Sequence, residues 1–191
     1  LFLISIPKSG THLLYRLAEA LGFRPGIVCP DEPSPGYWYC VEYSNSHTVP
    51  RDFFVDTVRR APFGNRHHPF LSSPALFITR HPLDILVSEA SYYGRAGNAA
   101  FAGWYQGLDF TASVARLVDD DVLLGRFADR VMAFSPWMAF PNVLTLGFED
   151  IVGAEGGGDP SVQRALIWSI QVRLALPGDP ADVAARLFDR N

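Results

Sequence analysis

Lys8 stands in the turn Pro7-Lys8-Ser9-Gly10-Thr11-His12, directly after an apolar run and directly before a helical pattern. Such a turn aims free backbone N–H groups and the positive end of a helix dipole at one point, and the lysine adds a mobile full charge. The combination is a seat for a phosphate-like anion. Arg80 heads a second set, with Pro82, Asp84 and Ser88 following it. An arginine fork at a strand end and a hydroxyl two helical turns later can both reach one phosphate. A third stretch, Gly64 to Leu71, holds His67 and His68. An imidazole near neutrality suits the removal of a proton from an attacking hydroxyl.

Each of these groups needs an element to hold it. Leu1 to Ile6 is a continuous apolar run, the pattern of a strand buried on both faces. Thr11 to Leu21 places Leu13, Leu14, Leu17, Ala18 and Leu21 at helical spacing, and Gly22 stops it. Ala75 to Thr79 predicts a second buried strand, with Pro82 suited to the first turn of the next helix. Val143 to Leu146 predicts another, leading into Phe148-Glu149-Asp150. Strands separated by helices in this order predict one α/β domain with a mainly parallel sheet flanked by helices. Ligands in such sheets sit at the carboxyl ends of the strands, where Lys8, His67, Arg80 and Phe148 all fall.

The first turn departs from the nucleotide-triphosphatase loop, because Lys8 precedes Gly10 and no glycine lies upstream. The string PKSGTH instead resembles the 5′-phosphosulfate loop of the sulfotransferases that use 3′-phosphoadenosine 5′-phosphosulfate (PAPS), typically PKSGTT followed by tryptophan. In that family a core strand ends in Arg-x-Pro-x-Asp, with a serine eight residues after the arginine. Arg80, Pro82, Asp84 and Ser88 keep that register. Sulfotransferases also carry Lys-x-His-x-Pro at a strand end, which two registers fit here. His67 keeps the spacing to Pro69 but has Asn65 in the lysine position, whereas His68 keeps a basic Arg66 but abuts the proline. Phe148-Glu149-Asp150 resembles the family's Tyr-Glu-Asp.

The resemblance implies a P-loop-like sulfotransferase domain over residues 1–191, carried by motifs within about 1–150, with divergent helices over 160–191. It implies PAPS as the cofactor and sulfuryl transfer to a hydroxyl or amine of a small-molecule, glycan or lipid acceptor. Lys8, Ser9, Gly10, Thr11 and His12 would hold the 5′-phosphosulfate, Arg80 and Ser88 the 3′-phosphate, and Phe148 the adenine. His67 would be the base, with His68 in reserve, and no metal is implied. Glu149 would either orient basic residues or stand as an exposed carboxylate. Two departures stand out: Leu13 replaces the adenine-stacking tryptophan, and no late Arg-Lys-Gly-x-x-Gly segment exists to close over the 3′-phosphate. These leave two alternatives, a non-catalytic phosphonucleotide binder and, less favoured, a P-loop kinase.

The remaining sequence bounds these readings. Hydrophobic residues make up 48% of the chain, enough for a real core, and the net charge of −4 argues against general nucleic-acid binding. Cys29 and Cys40 form no metal pattern, and a single bridge between them stays open. No apolar run is long enough to span a bilayer, and a reducing, cytoplasmic setting is the default expectation. Phe23 to Ser46 reads as loop with a short strand near Ile27-Val28, its Tyr37, Trp38, Tyr39 and Tyr43 either lining an acceptor cleft or covering the core. Pro50 to Arg60 reads as a short helix, and Gly94 to Gly107 as a mobile loop over the pocket. Asp109 to Val118 and Val122 to Phe134 predict amphipathic helices, and Asp119-Asp120-Asp121 a charged turn between them. Pro160 starts a helix running to about Leu176, and Ala181 to Phe188 predicts the last one.

Overall fold

A computed structural model describes residues 1–26, 33–41, 46–53, 69–93 and 103–188. The chain begins with strand β1 (Phe2–Ser5), turns through the Lys8 loop and enters helix α1 (Thr11–Ala20). Leu14, Leu17 and Ala18 are fully buried, so the apolar stripe read from the sequence is the face α1 lays on the sheet. Two short strands follow, β2 (Arg24–Pro25) and β3 (Tyr37–Cys40). After a 3₁₀ turn at Pro69–Ser72 come β4 (Ala75–Thr79) and helix α2 (Pro82–Tyr93). Helices α3 (Phe110–Val118) and α4 (Phe127–Met132) lead to β5 (Val143–Gly147) and the short α5 (Phe148–Val152). Helices α6 (Pro160–Leu174) and α7 (Pro180–Phe188) end the described chain.

All strand pairings are parallel, in the order β2-β3-β1-β4-β5. Strand β1 is central, with Phe2 opposite Tyr39 on one side and Ala75 on the other. Alternate residues feed two cores. Phe2, Ile4 and Phe77 join Ile85, Tyr93, Leu117 and Trp137 under α2 and α3. Leu3, Leu76 and Ile78 join Leu14, Leu17, Ile167, Ile170 and Val183 under α1, α6 and α7. Burying each large side chain of β1 contributes about 1.5–3 kcal/mol, which is why so short a strand can anchor the domain.

Two sequence expectations change here. Phe23 to Ser46 is not simply loop, because Tyr37-Trp38-Tyr39-Cys40 pairs with β1. Trp38 and Tyr39 are buried, and Tyr37 packs on the core beneath α2, so these rings build the core rather than a cleft. Aromatic residues favour a pleated, half-buried surface, and this preference overrides the Pro and Gly around them. The strand expected near Ile27-Val28, and Tyr43, lie outside the described residues. The helix expected from Val122 starts instead at Phe127, because the Asp120 carboxylate accepts the N–H groups of Val122, Leu123 and Leu124 and folds them into a turn. Those bonds hold the Asp120 carboxyl below its ordinary range against the opposing effect of burial. Of Pro50 to Arg60 only the helical start at 50–53 is described, and most of the expected loop, 94–102, lies outside the described residues.

Candidate active site

The loop after β1 is held by its own hydroxyls and by strain. Ser9 is fully buried; its N–H donates to the Ile6 carbonyl at 3.0 Å and its hydroxyl to the Ile78 carbonyl at 3.1 Å. Ser9 thereby pins the loop to β4, with its side chain turned inward. Lys8 has φ +64, a left-handed conformation that costs a side-chain-bearing residue about 1–2 kcal/mol. Gly10 caps α1 at φ 109, and no side chain caps the helix there. The N–H groups of Thr11, His12 and Leu13 therefore stand in the first turn, where a helix offers them no acceptor of its own.

Arg80 and Phe148 enter from the carboxyl ends of β4 and β5. The Arg80 guanidinium lies over the Phe148 ring at 4.4 Å, and its Nη1 makes a long contact, 3.5 Å, to the Lys8 carbonyl. The Phe148 ring also meets Gly10, where an added Cβ would come within 2.5 Å of a ring carbon. Glycine is required at position 10 on both counts, conformation and space. Glu149 is exposed and accepts the backbone N–H of His81, the residue next to Arg80, at 2.9 Å. Arg80 Nε is buried and, among the described residues, has no hydrogen-bond partner. A buried, unsatisfied guanidinium donor costs free energy that an anion would recover. Ser88, two turns along α2, is half-buried.

A histidine that the sequence reading passed over lies beside the loop. His47 follows the end of β3, and its Nδ1 is 2.9 Å from the Ser5 carbonyl and 3.1 Å from Ser5 Oγ. A carbonyl only accepts, so Nδ1 carries the hydrogen and Nε2 is the basic nitrogen. The segment is tied down on both sides: Ser5 N–H donates to the Ser46 carbonyl at 2.9 Å, and the buried Trp137 indole donates to the Thr48 carbonyl at 2.9 Å. Ser5 Oγ also meets Ser46 Oγ at 2.7 Å and Thr11 Oγ1 at 2.9 Å, joining β1, the His47 segment and α1 through one hydroxyl. Burial pushes the His47 pKa below its ordinary value; the bond to Ser5 opposes this, while the charges of Lys8 and His12 add to it. The imidazole is thus kept neutral and within the field of Lys8. His67 and His68 lie outside the described residues.

The sheet, the loop and the helices have a counterpart among solved structures. Mouse sulfotransferase SULT7A1, crystallised with PAP, matches with a TM-score of 0.61 at 19% identity. The fold is that of a sulfotransferase. The match covers 98% of this chain, so the sulfotransferase fold extends past residue 150, where the sequence motifs stop. The chain spans 62% of the length of that structure. No family model and no curated protein matches the sequence.

Within the sulfotransferase fold, the structure brings together Lys8, Gly10, Arg80 and Phe148 by direct contact, with Thr11 and His12 opening the helix behind them. The candidate His47 also has a signal in the sequence. Ser46-His47-Thr48-Val49-Pro50 follows a strand-forming run and carries a histidine with a nearby proline. The His-Pro pairs at 67–69 carried the same signal in a more familiar spacing.

Proposed function

We propose that this chain is a PAPS-dependent sulfotransferase acting on a hydroxyl or amine of an acceptor. The observation that carries the reading is Arg80: a half-buried arginine whose buried Nε has no partner among the described residues, in contact with the backbone of a lysine-bearing anion loop. Two anion-binding groups of different kind, one at the end of β1 and one at the end of β4, suit a ligand with two separated phosphates. The bound cofactor would supply a sulfuryl group on a good leaving group.

The protein's part is binding, orientation and charge. The first-turn N–H groups of α1 and the Lys8 ammonium would bind the 5′ end and stabilise negative charge growing on the leaving oxygen, where fixed donors act most strongly. Arg80 and Ser88 would take the 3′-phosphate, and Phe148 would wall the adenine side. Ser9 would act as a brace for the loop. In place of His67 or His68, His47 Nε2 would take the proton from the acceptor, because its other nitrogen is fixed by Ser5 and its burial keeps it neutral. Sulfuryl transfer of this kind asks for no metal.

The test is calorimetric titration with 3′-phosphoadenosine 5′-phosphate, beside ADP and beside ATP with magnesium. The reading expects tight binding of the bisphosphate, lost on removal of its 3′-phosphate and weakened in Arg80→Ala. Binding of ATP with magnesium in preference to the bisphosphate would overturn it in favour of a kinase. Binding of the bisphosphate without sulfate transfer to any acceptor in a broad screen would reduce it to a non-catalytic binder.

A further inference from the structure

Lys8 is the single lysine in a chain with fifteen arginines. Its ammonium lies over the Tyr92 ring, 3.9 Å from the centroid. Tyr92 is the penultimate residue of α2, roughly 15 Å along the helix axis from Pro82. The Lys8 carbonyl, by contrast, faces Arg80 just before that helix begins. The lysine therefore meets Arg80 through its backbone and Tyr92, near the far end of α2, through its ammonium. The Tyr92 ring is itself braced, edge-on against Tyr93 at 5.4 Å, and Tyr93 stacks on the buried Tyr105 at 5.7 Å.

We propose that Tyr92 is a positioning residue for Lys8, its aromatic face holding the ammonium at the end of the site remote from Arg80. This rests on the sulfotransferase reading, which places the 3′-phosphate at Arg80 and the sulfuryl group and acceptor at the opposite end. An ammonium on a four-carbon stem has no preferred direction of its own, unlike a planar guanidinium. The negative face of an aromatic ring supplies one without neutralising the charge, as a carboxylate would. The ring thus aims the Lys8 ammonium before an anion arrives.

Because Lys8 carries the only side-chain amine, reductive methylation with ¹³C-formaldehyde gives one side-chain signal in addition to the α-amine, and dimethylation preserves the charge. The proposal expects that signal to be shifted upfield by the ring current in the ligand-free protein, to lose the shift in Tyr92→Leu and to recover it in Tyr92→Phe. In unmodified protein, Tyr92→Leu should lower kcat about three- to tenfold, with rescue by Tyr92→Phe. A Lys8 signal that Tyr92→Leu leaves in place would overturn the proposal, as would an unchanged kcat in Tyr92→Leu. If wild-type protein fails to bind the bisphosphate, the functional reading falls and the role with it, while the methyl shift would still report the contact.

Discussion

The Nδ1 of His47 lies 2.9 Å from the carbonyl oxygen of Ser5, the last residue of the strand that feeds the Lys8 loop. One hydrogen bond thus sets both the tautomer of the imidazole and its distance from the loop. His47→Ala should lower kcat about 10²–10⁴-fold with little change in bisphosphate affinity, read by steady-state kinetics beside calorimetry. A loss of that size in His67→Ala or His68→Ala, with His47→Ala active, would move the base to the other segment.

The pH dependence follows from the same burial. A histidine whose folded pKa is lowered stays unprotonated below its ordinary value of about 6.5, so the acid limb of kcat/KM should fall below pH 6.5. The sign for stability agrees: the unfolded chain binds this proton more readily, so His47 costs stability as pH falls from 6.5 toward the folded value. A pH–rate profile with its acid limb at or above 6.5 would contradict the assignment.

Lys8 combines the charge proposed to act on the leaving oxygen with an unfavourable backbone. Lys8→Ala should cut turnover by about 10²–10³-fold, the effect of removing one donor to a developing oxyanion, while thermal unfolding stays cooperative. Lys8→Gly should be equally inactive but more stable than Lys8→Ala by about 1 kcal/mol, because glycine adopts φ +64 without strain. Equal melting temperatures for the two variants would show that the loop carries no such strain.

Gly10→Ala tests the contact between the loop and Phe148. The new methyl would meet the ring and would have to adopt φ 109, so a loss of about 1–3 kcal/mol is expected in denaturant unfolding. Gly10→Ala with Phe148→Ala should recover the steric part and leave the conformational part. Strict additivity of the two losses would mean that the ring is not what the methyl meets.

Helix α2 carries Ser88 and Tyr92, and one ion pair fixes it. Glu89, 1% exposed, accepts two hydrogen bonds of 2.8 Å from Arg130 of α4. Burial and the Glu89 charge push the neighbouring Tyr93 phenol up to about 12. Removing one partner strands a buried charge, so Arg130→Ala should destabilise by about 3–5 kcal/mol in equilibrium unfolding. Replacing both partners by apolar residues of similar volume should recover most of that loss.

The parts of this site that were legible in the sequence are those written in contiguous residues. The loop with Lys8 and Gly10 lies between a buried strand and an amphipathic helix, and Arg80 lies between β4 and the proline-led α2; both sets have strong local patterns. His47 was not legible in this way. Its importance depends on β3 pairing beside β1, and parallel neighbours are joined by register rather than by adjacent sequence. The run Tyr37-Trp38-Tyr39, set among Pro and Gly, read as a pocket lining or cover until the pairing of Tyr39 with Phe2 made it sheet. Likewise the turn at 120–125 hid in a helical pattern, because one carboxylate outbids three helical hydrogen bonds.

The central place of β1 has a consequence for the timing of solvent exposure. With partners on both edges and a packed layer on each face, the amides of Leu3 and Ile4 have no route to solvent short of opening the sheet. They should exchange with deuterium among the slowest in the chain, at the rate set by global unfolding. The Lys8 loop hangs from that strand, so its conformation should persist through partial openings of the surrounding helices and be lost only when the whole domain unfolds.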